Sequence, residues 1–218
     1  MKDYQGFKNN GNWYKGNLHS HTTVSDGKMT PEQSVAVYKE HGYNFLALSE
    51  HDIYTDYRKQ YNTDNFIMIP AIEASAILYQ EEGSSKRLEI HHLHGILGTS
   101  EMQKNAKAPL FTHMEHVPPQ KHYGTWRGRE ISQEIADMLR DRGCVVTYNH
   151  PIWSRVTEEE FIYTEGVQAL EIFNYNTVLE SNTGYDVTYW DRMLRMGKKI
   201  NGFASDDNHN EGLFEDSC

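Results

Sequence analysis

Residues 16–27 read GNLHSHTTVSDG: a short extended run ends in His19 and His21, and an acidic loop with Asp26 follows. Side chains alternate between faces in an extended segment, so these two imidazoles point the same way and can bind one ion. A lone H-x-H is a weak signal. The same arrangement recurs along the chain, however. The apolar run 44–49 (NFLALS) is followed by His51 and Asp52, 66–72 (FIMIPAI) by Glu73, 144–149 (CVVTYN) by His150, and 200–204 (INGFA) by Asp207 and His209. Five strand-like segments therefore end in imidazoles or carboxylates. The carboxyl ends of parallel strands carry the active site in α/β architectures, so the pattern predicts an α/β fold with these residues gathered at one end.

The segments between these runs fit that reading. A helix is predicted over 31–41, with Thr30 as cap, Pro31 in the first turn, Gln33 completing a capping box and Gly42 as its stop. A second is predicted over 130–142, with Ile131, Ile135, Met138 and Leu139 on one face as core packing and Gly143 at its end. Shorter helices are expected near 158–162 and 187–196, and a strand at 167–173. Segments 74–79 and 88–97 flank the EEGSS turn at 81–85 and can pair as a hairpin. Residues 99–128 show little periodicity and read as a long loop that covers an active site. Alternating strands and helices imply parallel strands with crossover helices, as a barrel or an open sheet. One domain spanning 1–218 is expected. The chain stops soon after its last strand, which leaves open that a closing C-terminal element is missing and that the chain is a fragment of a longer protein.

Composition narrows the function classes. With 31 acidic and 21 basic side chains the formal charge is −10, which argues against an extended nucleic-acid surface, since that affinity rests on clustered Lys and Arg. A small anionic substrate is compatible if bound metals reverse the local field. No apolar run approaches the ~18 to 20 residues that span a bilayer, and the polar amino terminus is unlike a signal peptide, so a cytoplasmic protein is expected. The two cysteines, Cys144 in an apolar run and Cys218 at the end, form neither a disulfide framework nor a thiolate metal site. Imidazole and carboxylate ligands without cysteine suit Zn, Mn or Fe. A carboxylate such as Glu73 can bridge two ions, and a water between two Lewis acids has its pKa lowered toward ~7.

Taken together, GNLHSHTTVSDG, SEHD, the Glu of IPAIEAS, NHP and SDDNH resemble the successive motifs of the PHP (polymerase and histidinol phosphatase) family of metal-dependent phosphoesterases, over about 16–209. The resemblance implies a distorted (β/α)7 barrel holding two to three divalent ions. Position by position, it makes ligands of His19, His21, Asp26, His51, Glu73, His150, Asp207 and His209. It implies one more histidine on the strand after Glu73, which here reads EIHHLHGILG. His92 is preferred because Gly95 follows it at the family's spacing; His94, on the same face, is the alternative as ligand or substrate contact, and His91 faces the other way. The resemblance also implies a basic residue after NHP to hold phosphate, for which Arg155 is the candidate. Asp52 and Asp206 are expected to orient imidazoles. His113, His116 and His122 are expected at the surface of the long segment, with a general acid among them as the alternative, and Tyr123, Trp126 and Arg127 are expected as loop packing, with stacking on a base or sugar as the alternative.

The mechanism this implies is attack by a metal-bound hydroxide on the phosphorus of a small monoester or diester held by the ions and Arg155, with Glu73 bridging and His94 or His209 protonating the leaving alcohol. Two rivals are hydrolysis of an amide or lactone by the same centre, and a catalytically silent PHP-like binding domain. Substrate identity and oligomeric state are not legible in the sequence.

Overall fold

The computed structural model describes residues 11–211; residues 1–10 and 212–218, Cys218 among them, lie outside the described residues. In chain order the strands are β1 Gly16–Asn17, β2 Phe45–Leu46, β3 Ile53–Tyr54, β4 Ile67–Met68, β5 Ala71–Tyr79, β6 Arg87–Leu97, β7 Glu115–His116, β8 Gln120–Tyr123, β9 Cys144–Tyr148, β10 Val167–Asn174 and β11 Asn201–Ser205. The helices are α1 Pro31–Glu40, α2 Arg58–Tyr61, α3 Ser100–Lys104, α4 Gly128–Asp141, α5 Pro151–Ser154, α6 Glu158–Phe161, α7 Tyr175–Ser181 and α8 Val187–Arg195. α1 starts as its sequence predicts: the Gln33 N–H donates to Thr30 Oγ1 and the Thr30 N–H donates back to Gln33 Oε1, satisfying two amides that the helix leaves unpaired.

A six-stranded sheet in the order β11-β10-β9-β6-β5-β8 forms the centre, and a small parallel sheet, β1-β2-β4, lies beside it. β10 runs parallel to β9 and β11, and β8 parallel to β5, whereas β6 is antiparallel to both β5 and β9. The sheet is therefore mixed: β5 and β6 form the hairpin expected around the 81–85 turn, and the parallel pairs that the alternation of elements implied lie on either side of it. A strand joined to its neighbour by the short turn at 80–86 can only return antiparallel. The ladders do not close into a barrel. Single bridges, Ser20 to Asn208 and His51 to Glu73, instead tie the carboxyl ends of the small sheet to the chain after β11 and to β5.

The main core lies under α4. Ile131, Ile135 and Leu139 pack on Ile72, Leu93, Val146 and Leu170 of the central sheet, all buried. Gly95 permits this approach, because a Cβ there would meet Leu139 Cδ2 at 2.6 Å and Ile72 Cγ2 at 3.1 Å. A second core joins α1 to the small sheet through Val35, Tyr38, Leu46, Leu48 and Met68. Removing a buried leucine side chain from such a core costs about 2–5 kcal/mol. The segment 99–128 is not the structureless loop its sequence implied: it contains α3, capped by Thr99, and two strands, β7 on β3 and β8 on β5. Those strands pair with partners distant in sequence, so no local periodicity marks them. Cys144 is a buried free thiol, and among the described residues no helix is long and apolar enough to cross a membrane.

Candidate metal centre

Glu73 is the hub. It sits in β5 between Ile72 and Ala74 with no solvent exposure, and its Oε1 lies 3.1 Å from His19 Nε2, 3.3 Å from His150 Nε2 and 3.4 Å from His92 Nδ1. Its Oε2 lies 2.9 Å from His51 Nδ1 and 3.5 Å from His21 Nε2. Asp207 supplies a second focus, with Oδ1 at 3.0 Å from His19 Nε2 and 3.1 Å from His21 Nε2. Toward solvent, Asp26 stands 3.2 Å from His209 Nε2 and 3.5 Å from His51 Nε2. All the residues that the motifs singled out as ligands, drawn from distant parts of the chain, thus meet in one place.

The donor set fits cations. Glu73 Oε2, Asp207 Oδ1, His51 Nδ1 and His92 Nδ1 are buried atoms without a hydrogen-bond partner among the described residues, although each lies close to other ligand-type atoms. Buried polar atoms left unpaired are costly, and lone pairs that converge without hydrogen-bond geometry are what a shared metal ion satisfies. Overlapping triads meet this requirement, among them His19, His21 and Asp207, and His51, Glu73 and His92; His21, Asp26, His51 and His209 form a group of four, with the ligand atoms of each group within 4.8 Å of one another.

Surrounding groups fix the rings. Glu171, fully buried in β10, accepts from His19 Nδ1 at 2.8 Å and from Ser205 Oγ through one oxygen, and from the His150 N–H at 3.1 Å and Asn174 Nδ2 at 3.0 Å through the other. The bond to Nδ1 leaves Nε2 as the ring nitrogen of His19 that faces Glu73 and Asp207, the atom available to a cation. His209 Nδ1 donates to the Asp207 carbonyl at 2.8 Å, and Asn149 Nδ2 donates to Glu73 Oε1 at 2.7 Å. Glu50, also fully buried, accepts from the Thr22 N–H, the Thr22 hydroxyl and the Ser25 hydroxyl, shaping the loop that carries Asp26. Neither Glu171 nor Glu50 was singled out from the sequence. The available signal was a carboxylate inside an apolar strand, as in VQALEIFN. Backbone strain gathers here as well, with His150 at φ 26°, Asp207 at φ 48° and Asp52 at φ 57°.

The electrostatics are those of a concentrated cluster. Burial opposes charge on His19, but Asp207, Glu73 and Glu171 outweigh it and hold its pKa well above the ordinary value. Burial, together with His51 and His209, pushes His21 down to about 3. Burial also opposes charge on His209, yet Asp207 and Asp26 lift it to about 9. Glu73 stays ionised against its burial because His92 and His19 hold its pKa well below the carboxylate range.

Several sequence expectations are revised by position. His92 borders the open cavity above the centre, whereas His94 is fully buried, 4.2 Å from the His19 ring and 3.3 Å from Thr147 Oγ1, and forms a further possible ligand triad with His19 and Glu73. Arg155 does not line the cavity; its Nη2 donates to the Arg87 carbonyl at 2.8 Å. Three basic side chains line the cavities over the centre, Lys28 and Lys121 in one each and Arg87 in both, and Arg87 forms no ion pair among the described residues. Asp52 accepts from the Ser75 N–H at 2.8 Å, bracing β5 beside the centre, and Asp206 accepts from the Tyr38 hydroxyl at 2.8 Å, tying the chain after β11 to α1. Trp126 stacks on His91 at 5.0 Å and donates to Glu160, which makes it packing and not a base platform. His113, His116 and His122 do not reach the cavity. His113 accepts from the Asp56 N–H, His116 is exposed in β7, and His122 packs on Trp126.

No protein-family model and no curated protein matches this sequence. Solved structures do share its fold. A two-domain protein from Bacteroides vulgatus containing a domain assigned by prediction as a PHP-like metal-dependent phosphoesterase aligns over 90% of this chain at 16% identity, TM-score 0.52; this chain spans about half (52%) of that protein. A protein from Bifidobacterium adolescentis assigned as a metal-dependent phosphoesterase aligns over 92% of this chain and 90% of its own at 14% identity, TM-score 0.53. An amidohydrolase from Chromobacterium violaceum with bound sulfate aligns over 91% and 88% at 14% identity, TM-score 0.55. At these identities the likeness is one of fold.

Proposed function

We propose that this protein is a PHP-like, metal-dependent phosphoesterase. The observation that carries the reading is the convergence of His19, His21, His51, His92 and His150 on the two oxygens of one buried carboxylate, Glu73. We assign two to three divalent ions of Zn, Mn or Fe to His19, His21 and Asp207, to Glu73, His92 and His150, and to Asp26, His51 and His209. We also read the single bridges beside the centre as seams of a distorted seven-stranded barrel. Divalent ions there would act as Lewis acids, lowering the pKa of a water toward ~7 and neutralising charge as it builds on phosphoryl oxygens.

The chain's own groups do the rest. Glu171 keeps the proton of His19 on Nδ1. Arg87, whose planar guanidinium suits phosphate oxygens, anchors the small phosphorylated substrate. Of the two candidates, His209 borders the cavity and is the group assigned to protonate a leaving alcohol; its Nε2 serves as ligand or as donor, but not both at once.

The test pairs metal analysis with turnover. Protein purified without chelator is expected to carry two to three equivalents of metal per chain and to hydrolyse phosphoesters, with both lost in Glu73→Gln and His150→Ala. Metal-dependent turnover that survives either substitution would place the chemistry elsewhere. The fold shared with an amidohydrolase favours a second reading, attack on a carbonyl carbon. Turnover of an amide or lactone panel, with phosphate esters only inhibiting, would select it.

A further inference from the structure

We propose that the substrate is a phosphodiester lying across the metal centre, with one ester arm in each of two lobes of the cavity. The inference rests on the phosphoesterase reading and narrows it. Two cavities, of about 290 Å³ and 320 Å³, meet over the centre and share Asp26, His51, Arg87 and His92 as walls. The first continues over α5 and α7, past Trp153, Asn176 and Glu180; the second continues over β5 and β8, past Ser75, Ile77, Tyr79 and Lys121. The phosphoryl group of any ester has to sit where the ligand atoms and Arg87 are, which is the junction. A monoester extends one arm from that point and leaves the other lobe to water. A diester extends two, in opposite directions.

The two lobes differ in chemistry. In the first, Glu180 accepts from Trp153 Nε1 at 2.8 Å and from Asn176 Nδ2 at 3.2 Å, which fixes a polar wall suited to a hydroxylated arm. In the second, Ile77 and the Tyr79 ring, stacked on Tyr123 at 5.7 Å between centroids, offer an apolar wall suited to a planar or apolar arm. Each lobe alone is near the lower end of the ~300–1,000 Å³ typical of small-molecule sites, so each suits one arm. In the reaction a water oxygen bonds to phosphorus and the bond from phosphorus to one arm's oxygen breaks. That oxygen takes up the proton the water gives up, yielding an alcohol and a monoester that retains the other arm.

The experiment uses the metal-loaded full chain, with turnover of bis(4-nitrophenyl) phosphate against 4-nitrophenyl phosphate and calorimetric binding of diphenylphosphinate against phenylphosphonate. The phosphorus–carbon bonds of the last two resist hydrolysis, so affinity is read independently of activity. A diester kcat/KM at least tenfold above the monoester's, and tighter binding of the two-armed phosphinate, are expected. Both ratios should fall about tenfold in Tyr79→Ala and in Trp153→Ala, two substitutions on separate walls, so a folding defect in one leaves the other informative. Preference for the monoester and the one-armed phosphonate would overturn the diester inference and leave the phosphoesterase reading intact. Turnover of neither phosphate alongside turnover of an amide or lactone would overturn both.

Discussion

Replacing Glu171 with glutamine tests the centre without touching a proposed ligand. The carboxylate accepts four hydrogen bonds, from His19 Nδ1, Ser205 Oγ, the His150 N–H and Asn174 Nδ2. Glutamine keeps one accepting oxygen and substitutes two donors for the other. Turned toward the His150 N–H and Asn174, the amide NH2 meets two donors that cannot reverse. Turned toward His19 and Ser205, it meets a hydroxyl that can rotate to accept and an imidazole that can change tautomer. The second orientation costs less and moves the His19 proton to Nε2, the atom aimed at Glu73 and Asp207. Disturbing such an orienting partner typically weakens metal binding ~10–100-fold, or about 1.4–2.7 kcal/mol. Equilibrium dialysis against graded chelator, with metal per chain as readout and circular dichroism to confirm folding, measures it. A folded Glu171→Gln protein with wild-type metal affinity would refute the claim that Glu171 sets the His19 tautomer.

Arg87→Met should lower kcat/KM on phosphoesters about 10- to 100-fold, the worth of a charge-assisted contact of ~1.5–3 kcal/mol, while Arg155→Met should cost several-fold less; the reverse order would return the phosphate anchor to the position after NHP. In chelated protein, burial opposes protonation of His209 but Asp207 and Asp26 raise its pKa from the ordinary 6.5 to about 9. The stabilisation from that pairing is then complete below pH 6.5 and disappears as pH rises toward 9. Melting temperature across this window should fall in the wild type and fall less in His209→Ala; parallel slopes would count against the pairing. Gly95→Val should force Leu139 aside and cost about 1–3 kcal/mol, or about 3–10 °C in melting temperature, read by thermal denaturation; an unchanged midpoint would mean that α4 has room to withdraw.

Much of the centre was legible in the chain because its chemistry is carried by short local patterns. An apolar run followed at once by His or Asp identifies a strand end whatever the strand later pairs with, so His19, His21, His51, Glu73, His150, Asp207 and His209 could be picked out before any coordinates. Thr30 and Gln33 announced α1 for the same reason, since a capping box closes within four residues. What depends on partners far away in sequence was not legible. Glu171 looks like a stray charge in an apolar strand until His19, 152 residues distant, is placed against it. Strands β7 and β8 gave no periodic signal because their register is imposed by β3 and β5. Arg87 lies outside every motif and comes to line both cavities over the centre because β6 returns antiparallel along β5. The sequence alone therefore determined which side chains could serve a metal, through alternation and spacing along single strands. The tertiary structure decided which atoms of those side chains meet, which histidine of His92 and His94 faces the cavity, and that the cavity has two lobes, because distances between strands are fixed by packing and not by neighbours along the chain.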